Sequence, residues 1–196
     1  MTDAVRDPIG IARLVAAAIE SAAGTYFVGG SVASSLQGDP RSTNDIDFVL
    51  SLPIDRADAF VSALGTDFEL DRDMLREALA RASCANGFYL PFLTKIDIFG
   101  VGRAPFDVSE FARRRAVVVG PSGESLVVKS PEDSVVRKLL WFRQGGEVSE
   151  RQWRDVVSIL RVSQADMDAA YLDHWAAALG CDELLARARA EAARIV

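Results

Sequence analysis

The stretch Asp45-Ile46-Asp47-Phe48-Val49-Leu50 narrows what this chain can fold into more than any other. Side chains of a strand alternate between its two faces, so Ile46, Phe48 and Leu50 share one face while Asp45, Asp47 and Val49 share the other. Two carboxylates therefore leave an otherwise apolar strand in one direction. Thr94 to Phe99 repeats the pattern, with Ile96 and Ile98 as a core face and Asp97 projecting oppositely. If the two strands are neighbours, the three acids gather within roughly 5 Å, and each pair repels by roughly 3 kcal/mol at an effective dielectric of about 20. Three such pairs approach the whole stability of an ordinary domain. A divalent cation relieves that repulsion, and carboxylate oxygens suit the hard ion Mg²⁺, with Mn²⁺ as its substitute. A single aspartate at a strand end is commonly a solvated edge residue; the set of three, with the glycines that precede it, points to chemistry.

Those glycines follow a first short strand, Tyr26 to Val28. Gly29-Gly30-Ser31 breaks it and opens a helix over Val32 to Leu36. Glycines let a phosphate approach the main chain, and the free amide hydrogens of a helix start favour an anion. Gly38-Asp39-Pro40 is a turn, and Arg41 lies in the polar lead to the aspartate strand. Arg41 is suited to meet a phosphate, to pair with an aspartate or simply to be solvated.

Composition restricts the partners. The chain has 196 residues, 49% hydrophobic and 26% charged, which suits a globular protein with a real core. No apolar run approaches the length of a membrane span, and the N-terminus carries an acid where a signal peptide would be basic, so a cytoplasmic location is expected. A net charge of −6 argues against broad non-specific nucleic-acid binding, which depends on neutralising phosphates. Cys84 and Cys181 lack ligand-like spacing with each other or with His174, so both are expected to be small buried residues. The single histidine leaves little room for histidine-based nucleophilic catalysis.

Along the chain, Asp7-Pro8 caps a first scaffolding helix that ends by Gly24. Two amphipathic helices, from Ile54 to Leu64 and from Asp71 to Ala82, should cover a sheet face. Phe88 to Leu90 and Phe92-Leu93 with Lys95 to Phe99 read as extended runs meeting near Pro91. A charged helix over Asp107 to Arg115 precedes a hairpin, Ala116 to Val119 and Leu126 to Val128, turning at Gly120-Pro121-Ser122-Gly123. Ser130-Pro131-Glu132-Asp133 starts a helix that ends near Gly145. Helices over Ser149 to Val162, Ala165 to Leu179 and Asp182 to Ile195 complete an expected division into an α/β domain, 1–129, and a helical subdomain, 130–196.

Gly30-Ser31, the spaced Asp45-Ile46-Asp47 and the later strand aspartate Asp97 together resemble the signature of the nucleotidyltransferase superfamily with the polymerase-β-like fold. Glu132-Asp133, Lys138-Leu139-Leu140 and Arg154-Asp155-Val156 resemble the downstream motifs of its minimal members of the abortive-infection, toxin–antitoxin-like type. The Gly29-Gly30 segment is also similar to the head of CCA-adding tRNA nucleotidyltransferases, but here Val32-Ala33-Ser34 stands where those carry Arg-Asp. The resemblance implies an α/β (α+β) fold, a mixed sheet flanked by helices, and transfer of a nucleoside monophosphate from an NTP to a hydroxyl of tRNA, protein or a small molecule. It implies Asp45, Asp47 and Asp97 as catalytic acids and as the ligands of two Mg²⁺ ions, with Asp97 completing the second ion's site and placed as general base. Gly29, Gly30, Ser31, Arg41 and Lys138 would hold the nucleotide, and Asp155 would support them. The rival reading is a binding module of the same fold that turns nothing over and acts through a partner protein.

Overall fold

The computed structural model describes residues 5–120 and 123–195. Its seven strands are β1 (Thr25–Val28), β2 (Asp45–Ser51), β3 (Phe68–Leu70), β4 (Cys84–Tyr89), β5 (Thr94–Gly100), β6 (Arg115–Val118) and β7 (Ser125–Val128). They form one mixed sheet in the order β3-β4-β5-β2-β1-β7-β6. The central pair β2–β5 is parallel, and β1 runs antiparallel to β2. The 116–128 hairpin joins the sheet through a parallel β1–β7 contact and leaves β6 at the edge. Two residues of its turn, Pro121 and Ser122, lie outside the described residues.

The chain divides into two compact units. The first holds the residues up to Val32 together with Ser42–Lys129, and so the whole sheet. Helices α1 (Pro8–Ser21), α3 (Ala57–Leu64) and α4 (Arg72–Arg81) pack against one another and the sheet. Their sequences signal their ends: the Asp7 carboxylate accepts from the Gly10 amide ahead of Pro8, and Asp71 caps α4 from the amides of Asp73 and Met74. The face they cover carries Ile46, Phe48, Leu50, Ile96 and Ile98, all fully or almost fully buried. Helix α5 (Pro105–Ala112) sets Phe111 against Phe27, whose register partner is Val49 on the aspartate side of β2.

The second unit comprises Ala33–Arg41 and the chain from Ser130 onward. Helices α6 (Pro131–Gln144), α7 (Glu150–Ser163), α8 (Ala169–Ala178) and α9 (Asp182–Ala192) pack around Leu139, Val156, Ile159, Leu172 and Leu185. Helix α2 (Gly30–Gln37) begins in the first unit and continues in the second.

Several boundaries differ from expectation. Strand β4 begins at Cys84, ahead of the Phe88 run, because Cys84 to Gly87 pair with β5 and Gly87 also pairs with β3. Phe92 and Leu93 belong to the following turn, where Leu93 takes a left-handed φ of 52°. The edge strand β3 was too short to register as a pattern, and Arg115 opens β6 rather than ending α5. Cys181 is buried, but Cys84 is only half-buried because it lies on the aspartate side of β4. Among the described residues no helix is long and apolar enough to cross a membrane.

Candidate active site

The parallel register sets Asp47 opposite Asp97 and Asp45 opposite Lys95. Register partners in a sheet face the same side, and neighbouring strands lie about 4.8 Å apart. Asp45, Asp47 and Asp97 therefore stand on one face of the central strand pair, opposite the face that α1, α3 and α4 cover. Asp45 is exposed, Asp47 is intermediate and Asp97 is 9% exposed.

Asp97 is not left to repel its neighbours. Lys95 Nζ lies 2.8 Å from its Oδ2, and the Asn86 amide of β4 donates to its Oδ1. That hydrogen bond to Asp97 is the main reason the Lys95 pKa lies above its ordinary value; desolvation opposes it, and the charges of Asp97 and Asp45 add to it. Burial first, and the Asp97 charge second, push the Cys84 thiol up, so it stays neutral beside the acids. Among the described residues no group of three or more His, Cys, Asp or Glu side chains closes into a cage for a metal ion. Asp45 and Asp47 still offer a carboxylate-only donor set on an accessible face, which fits Mg²⁺ or Mn²⁺. Lys95 was legible as an i−2 neighbour of Asp97 on the same face but was not singled out. Asn86 was not singled out either, since it lies ahead of the Phe88 to Leu90 run.

The glycine turn abuts this face. The Gly29 amide donates to the Asp47 carbonyl at 2.9 Å. Gly30 adopts φ +53°, and a Cβ placed on it would overlap Asp47 Oδ2 and lie 2.5 Å from its Cγ. Only glycine lets the start of α2 come this close to the carboxylate. Ser31 follows in the first turn and is 9% exposed. Behind the turn, within the same unit, Lys129 and Glu110 form a buried ion pair of 2.7 Å, with the Lys129 side chain beside Gly29 and the Phe27 ring.

The second unit assembles its own charged cluster. Asp155 accepts Arg41 Nε at 2.9 Å, the other Arg41 nitrogen at 3.0 Å and Lys138 Nζ at 2.7 Å. Gln152 Oε1 takes a further Lys138 contact at 3.1 Å. Burial alone would raise the Asp155 pKa, but the bonds from Arg41 and Lys138 outweigh it and hold the carboxyl below its ordinary value. Arg41 thus pairs with Asp155, and Lys138 is buried beside it. Glu132 and Asp133 are structural: Glu132 accepts the Asp168 amide and Asp133 the Tyr171 hydroxyl.

Solved structures share this architecture. An antigenic nucleotidyltransferase-like protein from Paracoccidioides brasiliensis matches with TM-score 0.56 and 18% identity, over 95% of this chain and 94% of that one. The antibiotic-resistance factor ANT(2'')-Ia matches in its solution structure with TM-score 0.56 and 15% identity, over 91% of this chain and 94% of that one. Its complex with adenylyl-2''-tobramycin matches with TM-score 0.56 and 15% identity, over 87% and 95%. The chain has the nucleotidyltransferase fold. No protein-family model and no curated protein matches it by sequence. In this nucleotidyltransferase fold, the aspartates on β2 and β5 and the glycine turn before α2 form the candidate site.

Proposed function

We propose that the protein is a metal-dependent nucleotidyltransferase, moving a nucleoside monophosphate from an NTP to an acceptor hydroxyl. The observation that carries this reading is the Asp47–Asp97 register pair with Gly30 packed against the Asp47 carboxylate. Asp45 and Asp47 would hold Mg²⁺ or Mn²⁺, which supplies charge neutralisation at the α-phosphate and the departing pyrophosphate. The amides of Gly30 and Ser31 bind the triphosphate tail at the start of α2, while the Gly29 amide is given to the Asp47 carbonyl and only lets the chain pass close to it. Asp97, fixed by Lys95 and Asn86, orients the acceptor hydroxyl and receives its proton as the new P–O bond forms and the bond to pyrophosphate breaks. Arg41 and Lys138 stay together on Asp155 as a charged cluster within the second unit.

Because the ANT(2'')-Ia structure contains adenylyl-2''-tobramycin, hydroxyl-bearing aminoglycosides are the first acceptors to try, followed by tRNA and protein. Purified protein is incubated with Mg²⁺, each NTP and each acceptor, and pyrophosphate release is measured. Turnover that survives Asp47→Asn defeats the mechanism. A second reading is favoured by the occupation of both Asp97 oxygens: a nucleotide- or metal-binding module without turnover, acting through a partner protein. That module binds nucleotide and releases no pyrophosphate with any acceptor.

A further inference from the structure

The aspartate face carries a positive charge of its own. Lys95 is one of only three lysines in a chain whose 22 basic residues are otherwise arginines, and it projects beside Asp97 at 2.8 Å with Asp45 as its register partner. An ammonium is a compact point charge, which suits a gap between two carboxylates better than a planar guanidinium. Asp45 and Asp47 leave β2 on this face and Asp97 leaves β5, and the Lys95 ammonium two residues before Asp97 takes one of its oxygens. The Asp97 oxygens face Lys95 and Asn86 and do not join a three-carboxylate cage.

We propose that the Lys95 ammonium is a resident cation of this face, occupying Asp97 and limiting the site to one divalent ion on Asp45 and Asp47. The inference rests on the metal-dependent reading above and adds the number of ions. Lys95 is a positioning residue: it acts through Asp97, whose carboxylate it keeps turned from the metal.

The test counts Mn²⁺ bound to the full chain by electron paramagnetic resonance without nucleotide. The expected result is one ion on the wild type, two on Lys95→Met and one on Lys95→Arg, with the single ion lost in Asp47→Asn. The Lys95 side chain is 40% exposed, so its replacement spares the core, and Lys95→Gln serves as a second neutral variant. Two ions on the wild type, or one on both neutral variants, overturns the role of Lys95 and leaves the transfer reading intact. No Mn²⁺ on any of these proteins overturns both.

Discussion

Replacing Gly30 by alanine should damage stability and site together, by an amount that can be assembled from parts. A left-handed backbone costs a residue with Cβ about 1–2 kcal/mol, and φ at Gly30 is +53°. The new methyl group would overlap the Asp47 carboxylate, which must leave its rotamer at about 0.5–1.5 kcal/mol. Retreat of the backbone is opposed by the Gly29–Asp47 hydrogen bond, itself worth about 1 kcal/mol. The two costs together come to about 1.5–3.5 kcal/mol, or a fall of about 1–2 M in urea midpoint for an m-value near 2 kcal/mol/M. Gly146 provides the control, because its φ is +74° with nothing within 4 Å of an added Cβ. Gly146→Ala should cost the conformational part alone. In an Asp47→Ala background most of the Gly30→Ala excess should vanish, which makes the pair a double-mutant cycle. Urea melts followed by circular dichroism give the energies, and pyrophosphate release reports the displaced carboxylate. If Gly30→Ala costs no more than Gly146→Ala and leaves turnover intact, the turn does not touch Asp47 and the reasoning is wrong.

Other consequences are more quickly stated. Asp155→Asn should destabilise the protein by about 3 kcal/mol, the low end for breaking a buried pair because Arg41 is 27% exposed; a urea melt measures it. The Asp155 carboxyl lies below its ordinary pKa when folded, so its stabilisation is present above about pH 4 and is lost as pH falls through the folded value. The urea midpoints of wild type and Asp155→Asn should therefore converge in acid. Glu110→Leu should cost about 3–5 kcal/mol, and adding Lys129→Met should recover most of it, since an apolar pair of similar volume replaces a buried ion pair at little cost. Cys84 should alkylate more slowly than an ordinary thiol, and Asp97→Asn should accelerate it by removing a charge that suppresses the thiolate; mass spectrometry of iodoacetamide adducts follows both.

Period-two alternation made β2 and β5 legible in the sequence, because buried Ile46, Phe48, Ile96 and Ile98 force the intervening aspartates to the other side. Caps at Asp7, Asp71 and Ser130 marked helix starts in the same way. Local patterns carried no sign of tertiary pairing. Cys84 to Gly87 become strand through their pairing with β5, and the three residues of β3 are too few to show a period. Arg41 on Asp155 and Lys129 on Glu110 are decided by which strands and helices become neighbours, which one-dimensional spacing does not encode.

The β2–β5 ladder ties acid placement to folding itself. Its partners are about fifty positions apart and run parallel, so the carboxylates meet only after a long crossover has closed. A shift of one rung would send Asp45 and Asp47 inward and Phe48 out to water, sacrificing the interior along with the chemistry. A partly assembled version of this centre thus has no compact chain to live in, and variants that fold with the native ladder inherit the acid geometry with it.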